Sequence, residues 1–129
     1  MATLLLDTHA FLWWLAGDTR LSRRARAAVA DEDNEVLVSA ASAWEIATKW
    51  RLGKLPGVEA IVNDIAGAIA AQAFDTLPVT IVHAQRAGMM AGAHRDPFDR
   101  MLIAQALAEG LILVSNEALF DEFGVTRRW

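Results

Sequence analysis

LLLDTHAFLWWLAGD, residues 4–18, is the stretch that decides the fold. With Thr3 before it, the leucine run Thr3–Leu6 reads as a buried strand, too short and too apolar for a surface segment. Asp7 breaks the run. Thr8–Ala16 then reads as a helix, and Gly17 ends it. A buried strand that turns through one acid into a helix is the opening of a β/α unit.

The same alternation continues outward from there. Leu21–Ala30 reads as an amphipathic helix with arginines on its polar side, and Glu35–Val38 as a second strand. Ala41–Leu52 is a helix closed by Gly53, and Val58–Phe74 a further helix rich in alanine and isoleucine. Thr76–Val79 is a short strand, after which Thr80 caps a helix running to about Met90. His94-Arg95-Asp96-Pro97 is a loop opening a helix from Phe98 to Glu109, which Gly110 stops. Leu111–Val114 is a strand, Glu117–Glu122 a short helix and Val125–Arg128 a last strand. Strands that alternate with helices imply an α/β fold, a parallel sheet covered by helices on both faces.

The chain has 129 residues, the size of one compact domain over 1–129. It contains no cysteine, which removes disulfides and thiolate metal sites. With 16 acidic residues and 3 histidines, carboxylates are the expected metal ligands, and oxygen donors favour Mg²⁺ or Mn²⁺ over zinc. The net charge of −4 argues against nucleic-acid binding through overall charge. Arginines are clustered, at 20–26, at 95–100 and at 127–128, and read either as solvated helix faces or as a basic rim around an acidic centre. The apolar N-terminal stretch lacks a basic leader, and Asp7 and His9 interrupt it, so no signal peptide is expected. No run reaches the roughly 20 apolar residues that span a bilayer. The expectation is a soluble protein of the cytoplasm.

In open parallel sheets ligands bind beyond the carboxyl ends of the strands. Asp7 follows the first strand there, and Ser39 follows the second, with Glu45 in the next helix. Ser115, Asn116 and Glu117 follow Leu111–Val114, and Asp96 and Asp99 open the Phe98 helix. Carboxylates gathered at one edge repel one another unless a cation holds them or some are protonated. Each acid also has a structural use. Ser42-x-x-Glu45 matches a capping box; Asp96-Pro97 is an N-cap with proline at the first helical position, and Asp99 completes a second box. Glu117 suits a helix N-terminus through the dipole, and Asp7 suits a cap of the first helix. Their convergence on one edge, rather than any single acid, points to a site.

Four segments resemble the PIN domain, and more narrowly a VapC-type toxin with an Asp-Thr-His start. They are LLLDTHAFLWWLAGD (4–18), VSAASAWEIATKWRLGKL (38–55), HRDPFDRMLIAQALAEGLILVSNE (94–117) and GVTRRW (124–129), in order along almost the whole chain. The resemblance implies a Rossmann-like α/β/α sandwich with a parallel sheet of about five strands. It implies an acidic pocket that binds Mg²⁺ or Mn²⁺ and hydrolyses RNA phosphodiester bonds, leaving a 5′-phosphate and a 3′-hydroxyl. Asp7, Glu45 and Asp99 match the first three acids. Glu117 falls at the fourth, where the branch more often has aspartate, after Ser115 where it more often has threonine. Asn116 is an alternative oxygen ligand there. Thr8 and Ser115 are supporting hydroxyls, Asp96 is a supporting or substrate-side acid, and Arg95 and Arg100 are candidate substrate-binding residues. A cognate antitoxin and a homodimer are implied partners.

The tryptophans Trp13, Trp14, Trp44, Trp50 and Trp129 read mainly as core or partner surface, and adjacent Trp13 and Trp14 are not expected to face one core. His9 and His83 read as structural, and His94 as a surface residue beside the pocket. Two rivals stand against the nuclease: a catalytically silent PIN-like module that binds an antitoxin or RNA, and a response-regulator-like domain. The second needs a lysine after a late strand, and none follows Leu111–Val114.

Overall fold

Buried on both faces, the leucine strand lies at the middle of the sheet. The computed structural model describes residues 1–92, 94 and 96–129. β1 (Thr3–Leu6) pairs in parallel with β2 (Glu35–Ser39) on one side and β4 (Ile112–Val114) on the other. β3 (Asp75–Leu77) extends the sheet beyond β2, and β5 (Thr126–Arg128) extends it beyond β4. The order is β3-β2-β1-β4-β5, with every neighbour parallel. The expected five-stranded α/β architecture is therefore present.

Alternation along the central strands feeds two cores. Leu4 and Leu6 of β1 join Val36, Val38 and Val114 on one face of the sheet. Leu5 joins Leu37 and Leu113 on the other. The first face is covered by α1 (Thr8–Ala16), α2 (Arg23–Ala30) and α4 (Ile65–Ala71), through Phe11, Val29 and Ile69 among others. The second face is covered by α6 (Pro97–Glu109), through Leu102, Ile103 and Ala106. α5 (Ile81–Met89) packs on α6. α3 (Ala40–Arg51) contributes Ala41 to one core and Ile46 to the other, so it borders both layers. No helix among the described residues is long and apolar enough to cross a membrane.

Two sequence expectations fail locally, and one is only refined. Val58–Phe74 is not one helix: Val58–Asp64 forms turns, and only Ile65–Ala71 is helical. Val58, Ile61, Val62, Ile65 and Ile69 do face the core at helical spacing, which is why the pattern looked continuous. Asp64 breaks it by leaving helical backbone and accepting the Gly67 N–H at 2.9 Å as an N-cap. The refinement is that the short helical segment before β5 is a 3₁₀ helix, Ala118–Phe123. The second failure is that Trp13 and Trp14 do pack on the same core. Their rings lean apart, Trp13 against Trp129 and Trp14 against Phe74 with its indole N–H on Gln72.

Gly110 ends α6 in the left-handed region at φ 65°, as its place in the sequence predicts. A Cβ there meets nothing within 4 Å, so its cost is purely conformational. Gly110→Ala is expected to destabilise by about 1 kcal/mol. Gly88→Ala, inside α5 and equally uncrowded, is expected to stabilise by about 0.5–1 kcal/mol. Urea midpoints of the two variants should move in opposite directions.

Candidate active site

The chain begins its sheet at the centre with β1, works outward to β3, and crosses back to β4 and β5. Neighbouring β1 and β4 thus send their connections in opposite directions, and a crevice opens beyond their carboxyl ends. The Asp7 N–H reaches across it to the Val114 carbonyl at 3.0 Å. Asp7 and Ser115 are the first residues past these two strands, and both are buried.

Asp7 has two uses at once. Its Oδ1 accepts the Ala10 N–H at 2.7 Å and caps α1, as the structural reading proposed. Its carboxyl also faces the crevice, with a pKa pushed up to about 6. Burial is the main cause; hydrogen bonds from Ser115 and Ala10 oppose it, and the charges of Glu45 and Glu117 reinforce it.

Glu45 does not complete a capping box. α3 starts earlier than expected, and its cap is Ser39, whose hydroxyl accepts the Ala41 N–H at 3.0 Å. That places Ser42 and Glu45 within the helix on its buried side. Thr8 Oγ1 donates to Glu45 Oε1 and lies within hydrogen-bond distance of Ser42 Oγ, at 3.0 Å. Lys49, one turn further along α3, pairs its ammonium with Glu45 Oε2. Burial works against charge on Lys49, but Glu45, with Asp96 and Asp99, outweighs it and raises its pKa above the ordinary lysine value.

The third group opens α6. Asp96 is the N-cap, its Oδ1 accepting the N–H groups of Phe98 and Asp99 at 2.9 and 3.2 Å. Asp99 does not close a second box. Its Oδ2 meets His94 Nε2 at 2.7 Å instead. Burial, foremost, lifts the Asp99 pKa to about 6; His94 opposes the rise, while Asp96 and Glu45 add to it.

Glu117 is exposed and caps nothing with its side chain; its N–H donates to Ser115 Oγ at 3.0 Å. Its charge nevertheless reaches Asp7. Asn116 is exposed beside it. Arg100, expected to face substrate, donates to the backbone carbonyls of Met90 and His94. Arg95 lies outside the described residues. Arg127 reaches the site's edge, donating to the Ser115 carbonyl at 3.0 Å while paired with Asp121. His9 is exposed beside Trp13, and His83 is buried as the N3 partner in the Thr80 capping box.

The site is thus three linked clusters, around Asp7, Glu45 and Asp99, whose charges act on one another. Among the described residues no three Asp, Glu or His side chains stand close enough to share an ion in this arrangement. Sequence reasoning missed Lys49 as a site residue and left His94 on the surface. The Glu45-x-x-x-Lys49 spacing was the available signal for Lys49.

The PIN domain family model matches residues 4–125. Ribonuclease VapC22 of Mycobacterium tuberculosis (strain ATCC 25618 / H37Rv) is 31% identical over 119 residues, 91% of this chain and 88% of that protein. Ribonuclease VapC16 of the same organism is 44% identical over 62 residues, which span 48% of this chain and only 43% of that protein. Among solved structures, DNA-bound VapBC from Salmonella typhimurium superposes with a TM-score of 0.70 at 18% identity, covering 98% of this chain and 97% of that one. VapC20 of M. tuberculosis, a sarcin-ricin loop cleaving toxin, gives 0.62 at 19% identity, covering 95% and 96%. At these identities the structures speak for the fold, and the family match with the VapC22 alignment speaks for descent: the chain belongs to the PIN domain family.

Proposed function

We propose that this protein is a divalent-metal-dependent endoribonuclease, one PIN-like domain over residues 1–129, and the toxin of a toxin–antitoxin pair. The observation that carries the reading is the electrostatic coupling of the acids beyond the strand ends: Glu45 and Glu117 act on Asp7, Glu45 acts on Asp99, and burial raises the Asp7 and Asp99 carboxyls to about 6. The names of VapC22 and VapC16 as ribonucleases support it.

The donor set fits Mg²⁺ or Mn²⁺: carboxylate oxygens, mutually repelling and largely buried, with hydroxyls beside them. Asp7, Glu45 and Asp99 would hold the ion, with Glu117, or Asn116, as a further oxygen ligand. When bound, such an ion neutralises phosphate charge and acidifies a water for attack on phosphorus. The chain's own part is positioning. Ser115 orients Asp7, Thr8 and Ser42 orient Glu45, and His94 orients Asp99. Asp7 and Asp99 must shed protons before they ligate, so cation binding weakens as pH falls through about 6. Water adding to phosphorus would expel the 3′-oxygen, leaving a 3′-hydroxyl and a 5′-phosphate.

Exposed apolar side chains support protein partners, an antitoxin and a second copy of the chain. Trp44 is 64% exposed and Ile81 83% exposed, and Val82 and Met89 lie on the same helix as Ile81. A hollow of about 500 Å³ between α3, α5 and α6 adjoins Trp44. A cytoplasmic setting accords with an RNA substrate.

Purified protein incubated with a mixed RNA pool tests this. Cleavage is expected with Mg²⁺ or Mn²⁺, absent with EDTA, and restored when the metal is returned in excess. No cleavage in either metal by folded, partner-free protein would leave the silent binding module as the better reading.

A further inference from the structure

Glu45 is 2% exposed, and both its oxygens are engaged: Oε1 by the Thr8 hydroxyl and Oε2 by the Lys49 ammonium. Thr8 is neutral and can stay while Glu45 binds a cation. Lys49 cannot stay without cost, because an ammonium and a divalent ion on one buried carboxylate repel each other at short range. Lys49 is also free to move. Its side chain is 29% exposed, its four-carbon stem is flexible, and Asp96 and Asp99 attract it from beside the pocket.

We propose that Lys49 and a divalent ion compete for Glu45, so that loading the pocket exchanges one cation for another and Lys49 sets the metal affinity. This rests on the reading of the pocket as a divalent-metal site. It makes Lys49 a resident counter-ion that holds the Glu45 carboxylate in place, and that must swing aside when the ion enters. The opposite role, in which Lys49 supports Glu45 as a ligand, predicts the opposite effect of removing it.

The chain has two lysines, Lys49 and the exposed Lys54, which gives an internal reference. Acetic anhydride labelling of the wild-type protein, read by mass spectrometry, should modify Lys49 more slowly than Lys54. Saturating Mn²⁺ should raise the Lys49 rate several-fold and leave Lys54 unchanged. Separately, Mn²⁺ titration followed by electron paramagnetic resonance at pH 8 should show about 10-fold tighter binding for Lys49→Met. Lys49→Arg, which keeps the competing charge, should stay near wild type. Unchanged or weaker binding by Lys49→Met, or Lys49 labelling that Mn²⁺ leaves unchanged or slows, would overturn the exchange while the metal site stands. A wild-type protein that binds no Mn²⁺ would overturn both the exchange and the metal reading beneath it.

Discussion

Asp7→Asn is expected to abolish cleavage and, in the presence of a chelator, to make the protein more stable. The activity loss should exceed about 100-fold, because groups that merely support a metal ligand already account for 10- to 100-fold. The stability gain follows from the raised carboxyl. Asp7 titrates at 3.8 when free and at about 6 in the fold, so above pH 6 its ionisation works against folding by about 3 kcal/mol. Asparagine removes that charge and keeps an oxygen to cap the Ala10 N–H. A net gain of about 1–3 kcal/mol is expected at pH 7.5 in EDTA, measured by urea unfolding.

The sign can be checked against pH. Because the folded carboxyl binds its proton more tightly, the chelated wild type should gain stability as pH falls from 7 to 4. That contribution is complete below 3.8 and lost as pH rises through 6. Asp7→Asn should show a flatter profile, with the part owed to Asp99 remaining. With Mn²⁺ the ranking should reverse, since only the wild type gains from binding. A variant that cleaves normally would remove Asp7 from the site.

Gln105→Leu should give the largest loss of stability from a nearly isosteric change, about 2–4 kcal/mol. Gln105 is fully buried, and its amide joins three parts of the fold. Oε1 accepts the Ser39 hydroxyl at 2.6 Å; Nε2 donates to the Pro78 carbonyl at 3.2 Å and lies 3.3 Å from His83 Nδ1. Leucine fills the space but leaves the Ser39 hydroxyl and the Pro78 carbonyl without these partners. Ser39 caps the helix that carries Glu45, so turnover should fall as well. A urea midpoint within experimental error of wild type would show that the network contributes nothing.

Much of this was legible in the residues, for physical reasons that differ by element. The central strands were readable because both their faces are buried, which forces unbroken runs such as Leu4-Leu5-Leu6. The ends of α1 and α6 were readable because Gly17 and Gly110 take a conformation other residues resist. Asp64 was missed because periodicity records which side chains face inward, not whether a carboxylate has captured a backbone N–H nearby. At the site, the acids and their edge of the sheet followed from strand ends. Their partners did not: the Thr8–Glu45 and Ser39–Gln105 bonds join residues far apart in sequence, and local spacing is silent about them. Glu45 was ambiguous for one reason, that α3 starts at Ala40 with Ser39 as its cap.

The sheet order has a consequence for the protein's biosynthesis. β1 gains its second neighbour only when β4 arrives, and Leu4 pairs with Ile112 more than a hundred residues later. As the ribosome releases the chain, Asp7 and Glu45 emerge long before Asp99, Ser115 and the strand that closes the crevice. A nascent polypeptide therefore carries the acids without the geometry that brings them together. The long-range β1–β4 pairing, of the kind that slows folding, keeps the crevice unassembled until residues 112–115 have emerged.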